Sequence, residues 1–143
     1  PGFPPTIRHY LEVLAETDLA ADEKAASRLP RKVVLHDSCV MTRDLGIIDA
    51  VRTVLLRLGV EVVEPRNAKC DTACCGGPVE YAYPALSRSV AAIRSGELAE
   101  FAEDAVVTCP ICLINLMKHE AATGMRVWDA GELLFQAFGR NGA

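Results

Sequence analysis

The sequence lacks the features that would place the chain in a membrane, in a secretion pathway or on nucleic acid. No apolar run approaches the ~20 residues of a membrane-spanning helix. The first residues, Pro1-Gly2-Phe3-Pro4-Pro5, contain neither the basic leader nor the apolar block of a signal peptide. Basic residues are not in excess, since the formal net charge is −4 at pH 7 and the pI is about 5.4, so the electrostatic signature of a nucleic-acid binder is missing. We therefore expect a cytoplasmic protein with no membrane span of its own and no nucleic-acid partner.

An initiator methionine is missing too, and we expect the sequence to be an excerpt of a longer chain without its N-terminal part. The 143 residues that are present suffice for one domain with a single hydrophobic core. Their composition, 50% hydrophobic and 24% charged, is that of a globular protein. We expect residues 1–30 to form an N-terminal helix and linker, and residues 31–143 to form one cysteine-rich domain.

Short β-branched apolar runs alternate with stretches of helical periodicity along the chain. The alternation predicts an α/β fold, a small four-stranded parallel sheet flanked by helices (Rossmann-like), with an N-terminal helix at about 6–15. Right-handed crossover connections favour the strand order 2-1-3-4. The predicted strands are Lys32–His36, Val60–Val63, Ala105–Thr108 and Arg126–Trp128; the predicted helices between them span about 46–58, 84–95 and 110–122, and Asp129 opens a last helix.

Helix ends and helix faces follow from the same periodicity. We expect Gly59 to end the helix at 46–58 and residues 64–78 to form a long loop. We also expect Thr6 to cap the first helix, and a further short helix at about 22–27. The side chains predicted to face inward are Ile7, Leu11 and Leu14 in the first helix, Ile47, Val51, Val54, Leu55 and Leu58 in the next, and Leu86, Val90 and Ile93 in the helix at 84–95.

Five of the six cysteines form the pattern C-x34-C-C-x33-C-x-x-C, in which Gly76-Gly77 directly follow the adjacent pair, and the sixth, Cys70, lies outside it. Cys39 follows the first predicted strand, the Cys74-Cys75 pair lies in the loop after the second, and Cys109 follows the third. The carboxyl ends of parallel strands lie along one edge of a sheet, and the order 2-1-3-4 makes the first and third strands neighbours at the topological switch point. We therefore expect the thiols to cluster at that edge.

Thiols gathered at one edge are typical of a metal centre. Cys109 and Cys112 begin a helix whose dipole and free N–H groups favour thiolates, and Pro110 suits the first turn of that helix. Thiolates are soft ligands for zinc or for iron–sulfur clusters. Gly76 and Gly77 permit positive φ and close backbone approach, and their N–H groups can hydrogen-bond to cluster sulfur. Since tetrahedral zinc needs only four ligands, the five matched cysteines favour an iron–sulfur cluster, with zinc as the alternative occupant.

Other interpretations of the cysteines stay open. A zinc-bound structural or interaction domain would be colourless and redox-silent, and a chelator would unfold it. A thiol–disulfide oxidoreductase using Cys109 and Cys112 would have a reactive, low-pKa thiol and no metal. We expect no structural disulfides, because the chain is long enough to fold without them and no signal peptide is visible in the sequence.

Several residues beside the cysteines are candidates for the surroundings of the metal centre. They are His36, Cys70, Gly76, Gly77 and Pro110. We expect His36 to be a structural histidine rather than a metal ligand or proton donor. We expect Cys70 to be a spare thiol rather than a sixth ligand. No residue is identified as catalytic.

Three motifs resemble those of the cysteine-rich CCG domain family. They are His36-Asp37-Ser38-Cys39, Cys74-Cys75-Gly76-Gly77 and Cys109-Pro110-Ile111-Cys112-Leu113-Ile114-Asn115. The family includes the B and D subunits of heterodisulfide reductases and the iron–sulfur subunits of glycolate, L-lactate and anaerobic glycerol-3-phosphate oxidation systems. The resemblance covers most of the chain, and its five-cysteine pattern is specific.

The resemblance implies that Cys39, Cys74, Cys75, Cys109 and Cys112 bind a [4Fe–4S] cluster, which in the heterodisulfide reductase branch is non-cubane and cleaves a disulfide substrate. In the oxidase branches the resemblance implies electron transfer from a flavin dehydrogenase partner toward quinone or another acceptor. It thus implies an oxidoreductase subunit or domain that is inactive in isolation. The implied partners are other iron–sulfur or flavin subunits and a disulfide substrate or electron carrier, and only these partners would link the chain to a membrane complex.

Overall fold

Four parallel strands form the sheet at the centre of the computed structural model, which describes residues 7–19 and 27–138. They are β1 (Lys32–His36), β2 (Glu61–Val63), β3 (Asp104–Val107) and β4 (Arg126–Asp129), in the order β2-β1-β3-β4. Val33 of β1 lies opposite Val62 of β2, and Leu35 of β1 lies opposite Val106 of β3. The predicted α/β class, the parallel sheet and the strand order are confirmed.

Helices and short helical turns connect the strands in the described part of the chain. The α-helices are α1 (Tyr10–Glu16), α2 (Ala50–Arg57), α3 (Pro84–Ala99), α4 (Pro110–Met117), α5 (Glu120–Thr123) and α6 (Ala130–Phe138). A π-helical turn (Val40–Asp44) follows β1, and two 3-10 turns (Lys69–Asp71 and Gly77–Val79) lie between β2 and α3. Within the described residues, no helix combines the length and hydrophobicity needed to cross a bilayer.

The two faces of the sheet bury separate hydrophobic clusters, because successive strand side chains point to opposite faces. Val33 and Leu35 belong to one cluster, together with residues of α1, α2 and α6. Val34 belongs to the other, together with residues of α3 and α4 that include Cys112. Burying one Val or Leu side chain completely stabilises the folded state by roughly 1.5–3 kcal/mol. His36 follows Val34 by two residues, so it lies at the carboxyl end of β1 on the α3 and α4 side.

The buried face of α3 differs from the prediction. Leu86 and Ile93 are 53% and 74% exposed, although the periodicity predicts them to face inward. The buried residues of the helix are Ser87, Ala91, Arg94, Ser95 and Leu98. Apart from Leu98, small side chains and one paired arginine occupy the inward face, so the hydrophobic periodicity predicts the wrong face of the helix.

Other helix boundaries differ from the prediction where the backbone needs a special conformation. α2 begins at Ala50 rather than near residue 46, because Gly46 has a φ of +67°, far from helical values. Gly59, with a φ of +78°, lies just beyond the helix end, as predicted. The helix predicted at 110–122 consists of α4 and α5, and α3 continues to Ala99. The loop at 64–78 is not structureless, since it contains one 3-10 turn and most of a second.

The first helix begins four residues later than predicted. His9 caps α1: its side chain accepts a hydrogen bond from the N–H of Leu11, and Glu12 accepts one from the N–H of His9. Leu11 is fully buried, but Ile7 is 95% exposed and does not face inward. Thr6 and most of the short helix predicted at 22–27 lie outside the described residues.

Candidate metal centre

Each cysteine group follows the carboxyl end of a strand. Cys39 directly precedes the π-helical turn after β1, Cys74 and Cys75 lie between the two 3-10 turns after β2, and Cys109 is the N-cap of α4 after β3. Cys112 lies in the first turn of α4. The three connections leave the same edge of the sheet, because all four strands are parallel. All six cysteines lie in the described part of the chain and are free thiols.

Cys75, Cys112 and His36 form a buried inner group. Two Sγ atoms and one imidazole nitrogen all lie within 4.8 Å of one another. The three residues are 3%, 4% and 1% exposed, respectively. Cys109 lies beside Cys112 and is among the groups that raise the pKa of Cys112, after Cys75 and burial. Among residues 7–19 and 27–138, no other set of three His, Cys, Asp or Glu donors is this compact.

The remaining cysteines lie outside the inner group. Cys39 and Cys109 are half-buried, whereas Cys70 and Cys74 are exposed. Cys70 has its Sγ 3.7 Å from the carbonyl oxygen of Thr42, on the π-helical turn. Of the five predicted ligands, the structure thus brings two into the inner group and a third beside it, and it leaves Cys39 and Cys74 outside that contact.

Two glycines shape the loop that carries Cys74 and Cys75. Gly76 has a φ of +79°, and a Cβ there would lie 2.6 Å from a carbonyl oxygen of α3. A Cβ on Gly77 would lie 2.2 Å from Cγ2 of Ile111. The N–H of Gly76 donates to Cys74 Sγ at 3.3 Å, and the N–H of Gly77 donates to Cys75 Sγ at 3.4 Å. Only glycine fits both positions, and the loop backbone stabilises negative charge on both sulfurs.

Hydrogen bonds from α4 and from the connection after β1 hold this loop in place. Asn115, buried on α4, donates from Nδ2 to the carbonyl oxygen of Cys75 at 2.6 Å. The hydroxyl of Thr72 donates to the carbonyl oxygen of Asp37 at 3.2 Å. The carboxylate of Asp37 accepts the N–H of Lys69 at 2.6 Å. All three connections at the sheet edge are therefore tied together around the inner group.

The two buried thiols differ in pKa. A hydrogen bond from Cys112 lowers the pKa of Cys75 to about 4, against the opposing effect of burial, and His36 and the Gly77 N–H contribute further. The pKa of Cys112 is raised, first by the same hydrogen bond to Cys75 and then by burial. The metal-free chain thus favours a thiolate at Cys75 and a protonated thiol at Cys112, although Cys112 lies at the helix start. A bound cation would displace that proton and hold both residues as thiolates.

A second buried polar group encloses His36, and the sequence analysis missed it. Arg94 of α3 is 1% exposed and donates from Nε to His36 Nδ1 at 3.1 Å. Its other nitrogens donate to Glu97 at 2.7 Å and to the carbonyl oxygen of Asn67 at 3.0 Å. Burial lowers the pKa of His36. The sequence pattern that could have identified Arg94 is its spacing from Glu97, because residues three apart in a helix can form an ion pair.

The donor set fits a soft metal centre. Sulfur and imidazole donors that are buried on one side and supported by N–H groups are the ligands and surroundings found at zinc and iron–sulfur sites. Cys75 and Cys112 would hold the buried side of such a centre. Cys39, Cys74 and Cys109 lie on the three connections at the same edge.

Comparison with known proteins identifies one family and several relatives. The profile of the cysteine-rich domain called CCG matches residues 33–117, more than half of the chain. The chain is 32% identical over 143 residues to the D subunit of the dihydromethanophenazine:CoB–CoM heterodisulfide reductase of Methanosarcina mazei, covering 96% of this chain and 35% of that protein. It is 30% identical over 145 residues to the EtfAB:quinone oxidoreductase of Syntrophomonas wolfei, covering 92% and 20%. A 91-residue match at 37% identity covers 60% of this chain and 13% of a probable membrane-anchored ferredoxin of Chromohalobacter salexigens.

The chain thus spans about a third or less of the length of these relatives. The range matched by the family profile runs from β1 to the end of α4, so it contains all six cysteines and the whole inner group. The resemblance inferred from the three motifs is confirmed. The chain belongs to the CCG family of cysteine-rich domains.

Proposed function

We propose that the chain is the iron–sulfur domain of a larger oxidoreductase, in which Cys39, Cys74, Cys75, Cys109 and Cys112 bind a [4Fe–4S] cluster. The observation that carries the proposal is the contact between Cys75 and Cys112, two buried thiols on separate connections at the sheet edge. Cys39 lies on the third connection at the same edge, and five thiols exceed what tetrahedral zinc requires. We assign this function to residues 31–143 and treat residues 1–30 as a helix and linker.

The residues of the proposed site differ in burial and therefore in role. Cys75 and Cys112 hold its buried side, whereas Cys74 is exposed and lies where a partner or substrate has access. The N–H groups of Gly76 and Gly77 donate to the sulfurs of the cysteine pair. Such hydrogen bonds favour the more negatively charged, reduced state and so raise the reduction potential. A bound cluster would supply one-electron transfer.

The names of the relatives support a redox role. They describe a component of a heterodisulfide reductase, a quinone oxidoreductase and a probable ferredoxin. We infer that electrons arrive from other iron–sulfur or flavin subunits or domains and leave to a disulfide substrate or an electron carrier. A cleft of about 550 Å³, whose lining includes Gly77, Tyr81 and Ile111, lies next to the cysteine pair and offers room for such a molecule. Without its partners, the isolated domain is expected to show no turnover.

The free thiols also support a particular cellular compartment for the chain. Six unpaired cysteines suit a reducing compartment. We therefore propose a cytoplasmic location, with any attachment to a membrane made through partner subunits.

A zinc-binding structural or interaction domain is the second candidate function. The inner group together with Cys109 favours it, because three thiols and one imidazole form the Cys₃His set of structural zinc sites. This candidate predicts a colourless protein that unfolds when a chelator removes the metal.

Metal analysis separates the two candidates. We would measure iron, sulfide and zinc, with a visible spectrum, on chain that is expressed and reconstituted without oxygen. The proposal predicts about four irons and four sulfides per chain, lost in Cys74→Ser and Cys75→Ser but retained in the matched control Cys70→Ser. One zinc and no cluster under the same conditions would contradict the redox proposal and support the zinc domain.

A further inference from the structure

We propose that His36 donates a hydrogen bond to the sulfur of Cys75, is held in one tautomer by Arg94, and is not itself a ligand of the metal centre. The inference rests on the proposed function, because it assigns a role to a residue beside the proposed ligands. It concerns a buried series of contacting side chains, Glu97, Arg94, His36 and Cys75, that runs from α3 into the inner group.

The contact between Arg94 and His36 determines where the imidazole proton lies. The Nε–H of Arg94 donates to Nδ1 of His36 at 3.1 Å. An arginine has no acceptor atom and stays protonated in proteins, so Nδ1 must present its lone pair. A neutral imidazole with a lone pair on Nδ1 carries its hydrogen on Nε2. An imidazolium would direct a second N–H at the guanidinium, so the contact also requires the neutral ring.

Arg94 is itself held in this orientation. Its guanidinium is buried, and the two nitrogens that do not contact His36 are occupied by Glu97 at 2.7 Å and by the carbonyl oxygen of Asn67 at 3.0 Å. The planar guanidinium presents its donors in a fixed geometry, so satisfying two partners also fixes the direction of Nε–H. Arg94 is therefore a positioning residue for His36.

The imidazole of His36 is also close to the two buried thiols. One nitrogen of His36 lies within 4.8 Å of the sulfurs of both Cys75 and Cys112. Since Nδ1 is engaged by Arg94, Nε2–H is the group that remains for the sulfur. A nitrogen that carries hydrogen has no lone pair in the ring plane and cannot bind a metal. The distances also suit the Cys₃His set of the zinc candidate, and the proposal differs from that candidate because it leaves His36 no free lone pair for a metal.

Nuclear magnetic resonance tests the tautomer without any metal. The 143-residue chain would be labelled with nitrogen-15 histidine, reduced, and studied by long-range proton–nitrogen correlation. The chain has three histidines, so the double variant His9→Gln/His119→Gln retains only the signal of His36. We expect a single tautomer protonated on Nε2. A ring protonated on Nδ1, or on both nitrogens, would overturn the proposal.

Variants of two arginines test the positioning role of Arg94. Arg94→Met removes the donor to Nδ1 and should abolish the single Nε2–H tautomer. The matched control is Arg66→Met, because Arg66 is an exposed arginine whose ion-pair partner is Glu100. Retention of the single tautomer in Arg94→Met would show that Arg94 does not position the ring. If Arg94→Met fails to fold, the tautomer measured in the chain that retains Arg94 still decides the role of His36.

Cadmium-113 loading tests ligation directly. We expect no scalar coupling between bound cadmium-113 and either nitrogen of labelled His36, whereas a resolved coupling would make His36 a ligand and overturn the proposal. If the chain binds neither cadmium nor iron, the proposed metal centre fails, and the tautomer measurement alone then decides whether His36 is the donor. The two failures are therefore distinguishable.

Discussion

Asp37 and Arg52 form a buried bidentate ion pair behind the cysteine edge, with oxygen–nitrogen distances of 2.9 and 2.8 Å. Their side chains are 2% and 9% exposed. Arg52 also donates to Glu64 at 2.6 Å, and Asp37 also accepts the N–H of Lys69 at 2.6 Å. The pair therefore connects α2 with the segment after β1 and with the loop that carries three of the cysteines.

Replacing Arg52 by Met is expected to lower the free energy of unfolding by about 3–5 kcal/mol, because it leaves the Asp37 carboxylate buried without its partner. Urea unfolding measures the change. The matched control Arg66→Met breaks an exposed ion pair and should cost at most ~1 kcal/mol. The double variant Asp37→Leu/Arg52→Met should be less destabilised than the sum of the two single variants. If Arg52→Met and Arg66→Met lose the same free energy of unfolding, the buried ion pair stabilises the fold no more than an exposed one.

Gly77→Ala is expected to destabilise the chain by about 1–3 kcal/mol and to weaken metal retention, because the new Cβ would lie 2.2 Å from Cγ2 of Ile111. The double variant Gly77→Ala/Ile111→Ala removes the clashing methyl group and should recover part of the loss. Gly96→Ala is the matched control, since a Cβ there meets nothing within 4 Å and the residue lies inside α3. It should stabilise the helix by roughly 0.5–1 kcal/mol. Thermal unfolding and metal content of the three variants check the prediction, which fails if Gly77→Ala behaves like Gly96→Ala.

The fold was largely predictable from local sequence, whereas the contacts within the site were not. The strands are short β-branched runs, and the parallel order then places the cysteine groups at one edge whatever their side chains contact. The sequence does not show which sulfurs touch, because the contact between Cys75 and Cys112 depends on how Gly77 packs against Ile111. Local pattern also cannot show that Arg94 is buried, since its partner His36 lies 58 residues away.

Asn115→Leu is expected to cost about 1–3 kcal/mol of stability, because it leaves the buried carbonyl oxygen of Cys75 without the donor that now lies at 2.6 Å. Since this carbonyl belongs to a proposed ligand, we also expect faster loss of metal to a chelator. The control is Ser89→Ala, which removes an exposed hydroxyl bonded to the preceding turn of α3. Urea unfolding gives the stability, and the rate of chelator-dependent metal release gives the second effect. An unchanged release rate in Asn115→Leu would mean that the amide supports the fold without positioning Cys75.

Replacing either of two buried serines of α3 by alanine should change the free energy of unfolding, in opposite directions for the two positions. Ser87 and Ser95 are both 0% exposed. Ser87 exchanges hydrogen bonds with Asn115, whose Nδ2 lies 3.2 Å from the Ser87 hydroxyl. By contrast, the hydroxyl of Ser95 has no hydrogen-bond partner in the part of the chain that the structure describes.

Ser95→Ala is therefore expected to raise the free energy of unfolding by roughly 0.5–2 kcal/mol, because it removes an unsatisfied buried hydroxyl and introduces a better helix former. Ser87→Ala is expected to lower it by about 0.5–1.5 kcal/mol, because its hydroxyl is paired. Both variants remove one oxygen atom from the same buried face of the same helix, so the loss of volume is matched. If the slope of the unfolding free energy against urea concentration is the same in both variants, the difference between their urea midpoints reports the effect of the hydrogen bonds alone. Equal destabilisation of the two variants would mean that the Ser95 hydroxyl has a partner after all.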